Sequence, residues 1–225
     1  MLRYNSDTQY NYAQYQAYEA LLKYSDGIFP INPFKIISKI KNIKLYTYKE
    51  LAKEMQQDYR FKSFSVAEII TTFPSDDGFI ELVSKNEYIL AYNDENSPTR
   101  IRWTLFHELG HYFCKHLKHD NKILFSNVET YEVVKEREAN HFALQCSCPA
   151  PLILYIAHEQ DVGLERVIIQ QITGMSKQVN ENCLNYLNRF AYKYDLKKFK
   201  KLTSKFSDGF KQAKWIIKPY RYNYL

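Results

Sequence analysis

Five residues constrain this chain more than any other feature: His107-Glu108-Leu109-Gly110-His111. They sit in an apolar run, with Trp103, Leu105 and Phe106 before them and Tyr112 and Phe113 after them. Such a run demands burial, and its spacing predicts a helix from about Thr99 to Lys118. Side chains at i and i+4 share one helix face, so both imidazoles can reach a single ion. A catalytic zinc takes three protein ligands and leaves a fourth position for water. Glu108, about 100° further round the helix, is placed to accept that water's proton. Gly110 costs about 1 kcal/mol relative to alanine inside a helix, so propensity does not account for it. A close approach by neighbouring backbone would. With six histidines in 225 residues, the pattern arises from composition alone in well under one such chain in a hundred, roughly.

A third ligand is sought on the next long helix, expected from about Thr130 to Gln145 and stopped by Pro149 and Pro151. In Glu136-Arg137-Glu138-Ala139-Asn140, Glu136 and Asn140 share a face, whereas Glu138 points roughly 200° away. Glu136 is therefore assigned as the ligand, and Asn140 as the group that orients a ligand imidazole through its other nitrogen. Glu138 is expected to be a solvated helix residue. His116, His119 and His141 are the rival ligands, and His116 lies nine residues beyond His107, half a turn out of phase with the motif face.

The rest of the chain reads as mixed helices, a small sheet, then helices only, which is an α+β order. Helices are expected over Tyr10 to Tyr24, over Pro33 to Ile40 and from Thr47 to about Gln57, with a strand over Ile43 to Tyr48. Phe79 to Val83 and Tyr88 to Tyr92 read as an antiparallel hairpin. Leu164 to Ile172 and Ser176 to Phe190 form two helices about a Thr173-Gly174 turn. The second resembles a recognition helix in position but carries only Lys177 and Arg189 as basic residues, too few for a groove-binding role. Four segments result: an N-terminal helical segment (1–32), a core (33–150), a helical C-terminal part packed on it (151–192) and a basic amphipathic tail (193–225).

Charge separates that tail from the body. The net charge is +6, yet residues 193–225 hold ten Lys or Arg and two Asp, leaving the remainder net acidic. Leu196, Phe199, Leu202, Phe206, Phe210, Ala213 and Ile217 recur there at helical steps, with a break expected at Asp208-Gly209. A helix docked on its own protein with a lysine-rich outer face accounts for the pattern. The first 24 residues are polar and tyrosine-rich, without the apolar region of a signal peptide, and no apolar run reaches the roughly 18 residues of a membrane span. Four cysteines at irregular spacing form no secreted framework, so reduced thiols and a cytoplasmic setting are expected. Cys146 and Cys148 make a C-x-C without a second pair, a weak metal signal.

Arg102-Trp103-Thr104-Leu105-Phe106-His107-Glu108-Leu109-Gly110-His111, then Glu136-Arg137-Glu138-Ala139-Asn140-His141-Phe142-Ala143 and Pro149, resemble the ImmA/IrrE family of metallopeptidases. The upstream Tyr88-Ile89-Leu90-Ala91-Tyr92-Asn93-Asp94 and the stretch from Gly163 to Leu187 share the likeness, which covers about Pro33 to Leu187. The resemblance implies a zincin-like core in an α+β fold, with a small antiparallel sheet, an active-site helix and a helical C-terminal part. It implies Zn2+ held by His107, His111 and Glu136, with Glu108 as general base. Its members are gluzincin-like cytoplasmic proteins that cleave helix-turn-helix transcriptional repressors, so such a repressor is the implied substrate. It also places Tyr88 to Tyr92 at the sheet edge over the metal, where zincins take substrate as an added strand. Two departures stand out. Gln145-Cys146-Ser147-Cys148 is more polar than the usual aliphatic run, and Asn140 stands where related gluzincins often place Asp. The competing readings are a zinc-fold regulatory module that does not hydrolyse, and a DNA-binding module acting through the tail.

Overall fold

The computed structural model describes residues 8–73, 75–117 and 128–213, with side chains given from residue 132 in the last segment and as far as residue 210. Helix α1 (Tyr10–Tyr24) is followed by the short α2 (Pro33–Ile37), strand β1 (Ile43–Thr47) and α3 (Tyr48–Met55). The side chains of Asn32 and Thr47 cap α2 and α3, and Pro33 takes a first-turn position that needs no N–H donor. Helix α4 (Val66–Thr72) begins with a Ser65–Glu68 capping box; it was not expected from periodicity, although its cap is written in the sequence. The hairpin β2 (Gly78–Ser84) and β3 (Glu87–Tyr92) follows, then α5 (Pro98–Phe113) and α6 (Val128–Ser147). A helix α7 (Ala150–Gln160) starts on the prolines that were expected only to stop α6. Pro151 is tolerated there because the first turn of a helix needs no N–H donor. Helices α8 (Arg166–Thr173), α9 (Lys177–Phe190), α10 (Lys200–Lys205) and α11 (Ser207–Ala213) complete the described chain. None is long and apolar enough to cross a membrane.

The three strands form one sheet in the order β1-β3-β2. β2 and β3 are antiparallel, and β1 joins β3 in parallel. Tyr88–Tyr92 therefore lies at the centre of the sheet, not at its edge, and the two edge strands are β1 and β2, of which β2 borders α5. The reason is the chain leaving β1: it crosses through α3 and α4 and returns on the far side of β3.

Alternation divides the sheet between two cores. Ile80 and Leu90 face a large cluster built from α1, α5, α6 and the C-terminal helices. Phe79 and Ala91 face a small one with Tyr48, Leu51, Ala52 and Ile69. Ala13 and Ala17 are fully buried, so α1 lies close against α6, and the Cys146 thiol reaches the Ala17 carbonyl oxygen at 3.7 Å. The Arg102 guanidinium donates to the carbonyls of Ile31, Thr173 and Gly174, tying α5 to α2 and to the α8–α9 turn. In the tail, Leu202, Phe206 and Phe210 are buried in the large core. The helical run breaks at Phe206, before the Asp208-Gly209 expected from sequence. At Gly209 a Cβ would meet the Gly27 carbonyl oxygen at 2.5 Å, so glycine serves close backbone approach there. Ile217 lies outside the described residues.

Candidate metal centre

Helix α5 presents His107 and His111 on one face, and α6 brings Glu136 opposite them. The two Nε2 atoms are 3.1 Å apart. Each lies 3.2 Å from a Glu136 carboxylate oxygen, Oε2 for His107 and Oε1 for His111. Donors bonded to tetrahedral zinc at about 2.0–2.1 Å stand about 3.3 Å from one another. The two imidazole nitrogens thus stand at the spacing of tetrahedral zinc donors, and the carboxylate straddles them with one oxygen near each. Among the described residues these three side chains are the one His/Cys/Asp/Glu group so arranged.

The helices can meet this closely because of Gly110. A Cβ there would lie 2.8 Å from Ala139 Cα and 2.9 Å from its carbonyl oxygen, backbone that cannot move aside. Ala139 lies between Glu138 and Asn140, so the contact that demands glycine also sets how far Glu136 stands from the imidazoles. Asn140 Oδ1 is 3.1 Å from His107 Nδ1. An amide oxygen can only accept, so the ring proton sits on Nδ1 and leaves Nε2 as a lone pair facing the centre.

Glu108 is 8% exposed. Burial raises its pKa to about 7; Glu136 adds to the rise, while His107 and the backbone N–H of Ile80 oppose it. That N–H points away from β3, so the edge of β2 faces Glu108. Burial works against the charged forms of His107 and His111 alike. His107, with Glu136 and Glu108 beside it, is still shifted up, whereas His111, facing His107 and His116, is shifted down. Two imidazoles around one carboxylate do not both stay charged. The two rings closing on Glu136 hold its carboxyl well below the usual carboxylate range.

These groups floor a cleft of about 520 Å³, walled on one side by α5 and α6 and on the other by Gly78, Phe79 and Ile80 of β2. Gly78 is pressed against α5: a Cβ there would lie 2.5 Å from Thr104 Cγ2.

Two residues sit where the sequence did not put them. α5 ends at Phe113 rather than Lys118, and Lys115 takes a left-handed backbone with φ 63°. His116 consequently swings back, and its Nδ1 lies 3.1 Å from His111 Nδ1. Glu138 is buried, not solvated, and its carboxylate meets His116 Nε2 at 3.0 Å. Its other oxygen accepts from the backbone N–H of Gln9 at 2.8 Å, because α1 covers this side of α6. His141 faces away from the cleft, edge-on to Tyr10, and burial lowers its pKa to about 4. His119 lies outside the described residues.

Comparison with protein families gives a match to the IrrE N-terminal-like domain, peptidase family M78, over residues 55–185, more than half of the chain. The chain belongs to this family. The match spans both halves of the centre, from the end of α3 through the hairpin, α5 and α6 to most of α9. Its fold is a mixed α+β arrangement of a small sheet and many helices, compatible with a zincin-like peptidase. Membership and the clustered His107, His111 and Glu136 are together consistent with a metal-dependent catalytic function. No curated protein and no solved structure matches the chain.

Proposed function

We propose that this chain is a zinc-dependent endopeptidase that cuts a helix-turn-helix transcriptional repressor and so relieves repression. The observation that carries the peptidase reading is a pair of imidazole nitrogens 3.1 Å apart, each 3.2 Å from its own oxygen of one carboxylate, beside a buried glutamate. His107, His111 and Glu136 would hold the ion. Bound zinc lowers the pKa of a coordinated water and polarises the scissile carbonyl.

The remaining work falls to this chain's own side chains. Asn140 keeps His107 in the tautomer that turns a lone pair inward. Glu108 takes the proton of the attacking water and passes it to the leaving amine. Burial raises the proton affinity of this carboxyl, which suits a group that must take a proton and then hand it on. The edge of β2 offers unpaired backbone groups to an extended peptide, which main-chain hydrogen bonds would fix whatever its sequence. The repressor as substrate rests on the likeness to the ImmA/IrrE family. The basic tail is read as part of the body, since Leu202, Phe206 and Phe210 are buried in the large core.

The test combines purified protein with helix-turn-helix regulators encoded beside its gene and follows cleavage on gels. Cutting should need stoichiometric zinc, stop with a chelator and return on adding zinc. Cutting that persists in metal-free protein would sink the proposal.

A further inference from the structure

Beyond the three residues that would grip an ion, His116 and Glu138 are buried with every polar atom engaged. The His116 side chain is 7% exposed and that of Glu138 11%. From the centre outward the order is His111 Nδ1, His116 Nδ1 at 3.1 Å, then His116 Nε2 to Glu138 Oε2 at 3.0 Å, then Glu138 Oε1 to the Gln9 N–H at 2.8 Å. With Glu138 ionised and both imidazoles neutral, this series admits one placement of protons. A carboxylate only accepts, so the His116 proton is on Nε2. His116 Nδ1 is then a lone pair and must accept from His111 Nδ1–H. That leaves His111 Nε2 without a proton, and it is this atom that faces His107 Nε2 and Glu136.

We propose that Glu138 and His116 act as positioning residues that lock His111 in its metal-binding tautomer and ring orientation. The inference rests on the reading that His107, His111 and Glu136 hold a metal, and extends it to residues that touch no ion. The two imidazoles are served differently. His107 is held by a neutral amide four residues from Glu136 on the same helix. His111 is held through a second imidazole by a carboxylate that is itself pinned by the segment before α1. The anionic charge thus lies one ring away from the centre, where it strengthens His111 as a donor without competing for the ion. Ligand imidazoles whose outer nitrogen is bonded this way bind more tightly, and losing such a partner typically costs about 10–100-fold in metal affinity.

The experiment uses the full chain, freed of metal, with Zn2+ affinity measured by chelator competition and Co2+ spectra recorded in parallel. His116→Phe fills the space without a nitrogen and should weaken Zn2+ about 10–100-fold while shifting the visible Co2+ bands. His116→Gln can accept from His111 with its oxygen and donate to Glu138 with its amide, and should recover most of both. Glu138→Gln keeps an oxygen for His116 without the charge and should weaken Zn2+ measurably but less, by no more than about tenfold. Melting of the metal-free variants separates fold from affinity. A His116→Phe protein that melts early yet keeps wild-type Zn2+ affinity and Co2+ spectrum overturns the relay, as does His116→Gln weakened as much as His116→Phe. If that variant does not fold, unchanged affinity in Glu138→Gln overturns it instead. Wild type binding one Zn2+, with Glu136→Ala losing it, shows that such a failure belongs to the relay alone. Wild type binding none brings down the metal reading and the relay together.

Discussion

The cleft has two unlike walls. The helical wall, α5 and α6, is anchored in the large core, and it carries His107, Glu108, His111, Glu136 and Asn140. The strand wall, β2, lies between the two cores and shows the cleft mainly backbone at Gly78, Phe79 and Ile80. Reacting groups must be held to a fraction of an ångström, and close-packed helices can do that. A strand edge that accepts many peptides needs only its backbone pattern. The difference suggests a division: changes on the helical wall alter metal and rate, and changes on the strand wall alter substrate affinity.

The sharpest way to break that division is Glu108→Gln. The amide keeps the side chain's shape but cannot take a proton near neutral pH. Turnover should fall by at least about 10²–10⁴-fold. Zn2+ content should stay at the wild-type level, and uncut repressor should still bind. Cleavage assays with metal analysis on the same sample check this. A variant that derepresses its target genes while cutting nothing would instead favour the non-catalytic regulatory module.

The back of the helical wall gives the next effect. His141 is buried, its Nε2 without a hydrogen-bond partner among the described residues, and its pKa is lowered by burial to about 4. A folded pKa below the unfolded value of about 6.5 means that the fold favours the neutral ring. That contribution is complete above pH 6.5 and is lost as pH falls from there through 4, amounting to about 3 kcal/mol at most. Denaturant unfolding of metal-free protein at pH 7 and pH 4.5 measures it. His141→Phe, which keeps the ring between Tyr10 and Tyr186, should lose stability less steeply with acid. Equal acid slopes in the two proteins would refute the assignment.

Gly110→Ala probes the contact between the helices. The new methyl would press on the Ala139 backbone and cost about 1–3 kcal/mol by overpacking. Because Ala139 is three residues from Glu136, Zn2+ affinity should fall with stability. Destabilisation with unchanged Zn2+ affinity would show that the separation of α5 and α6 does not set the centre.

What could be read in the sequence follows the same division. The motif face and the Glu136–Asn140 pair depend on spacing within one helix, and spacing survives any packing. His116 and Glu138 could not be placed that way. No Gly, Asn or Pro directly follows Phe113 to announce the end of α5. Only the positive φ at Lys115, set by tertiary context, turns His116 inward. Glu138 looked solvated because the covering of α6 by α1 is a long-range fact, made possible by Ala13 and Ala17 but not dictated by them. The sheet edge failed for a related reason: a hairpin's composition is the same whichever of its strands a third one joins, and β1 chose β3.

The strand wall yields the smallest effect and the most direct test of the division. The Ile80 N–H points to Glu108, away from β3, and backbone groups two residues apart along a strand point the same way. Leu82 lies opposite Tyr88 on that register, so its N–H faces the free edge too. Leu82→Pro removes this donor without taking a hydrogen bond from β3, and proline is accepted on edge strands. A single peptide hydrogen bond is worth about 0.5–1.5 kcal/mol, which corresponds to a rise in KM of roughly 2–12-fold. With His107, Glu108, His111 and Glu136 untouched, kcat should hold within about twofold, and so should Zn2+ affinity. A fall in kcat or in bound zinc would mean that the β2 edge helps shape the centre itself, and the two walls would then be one unit.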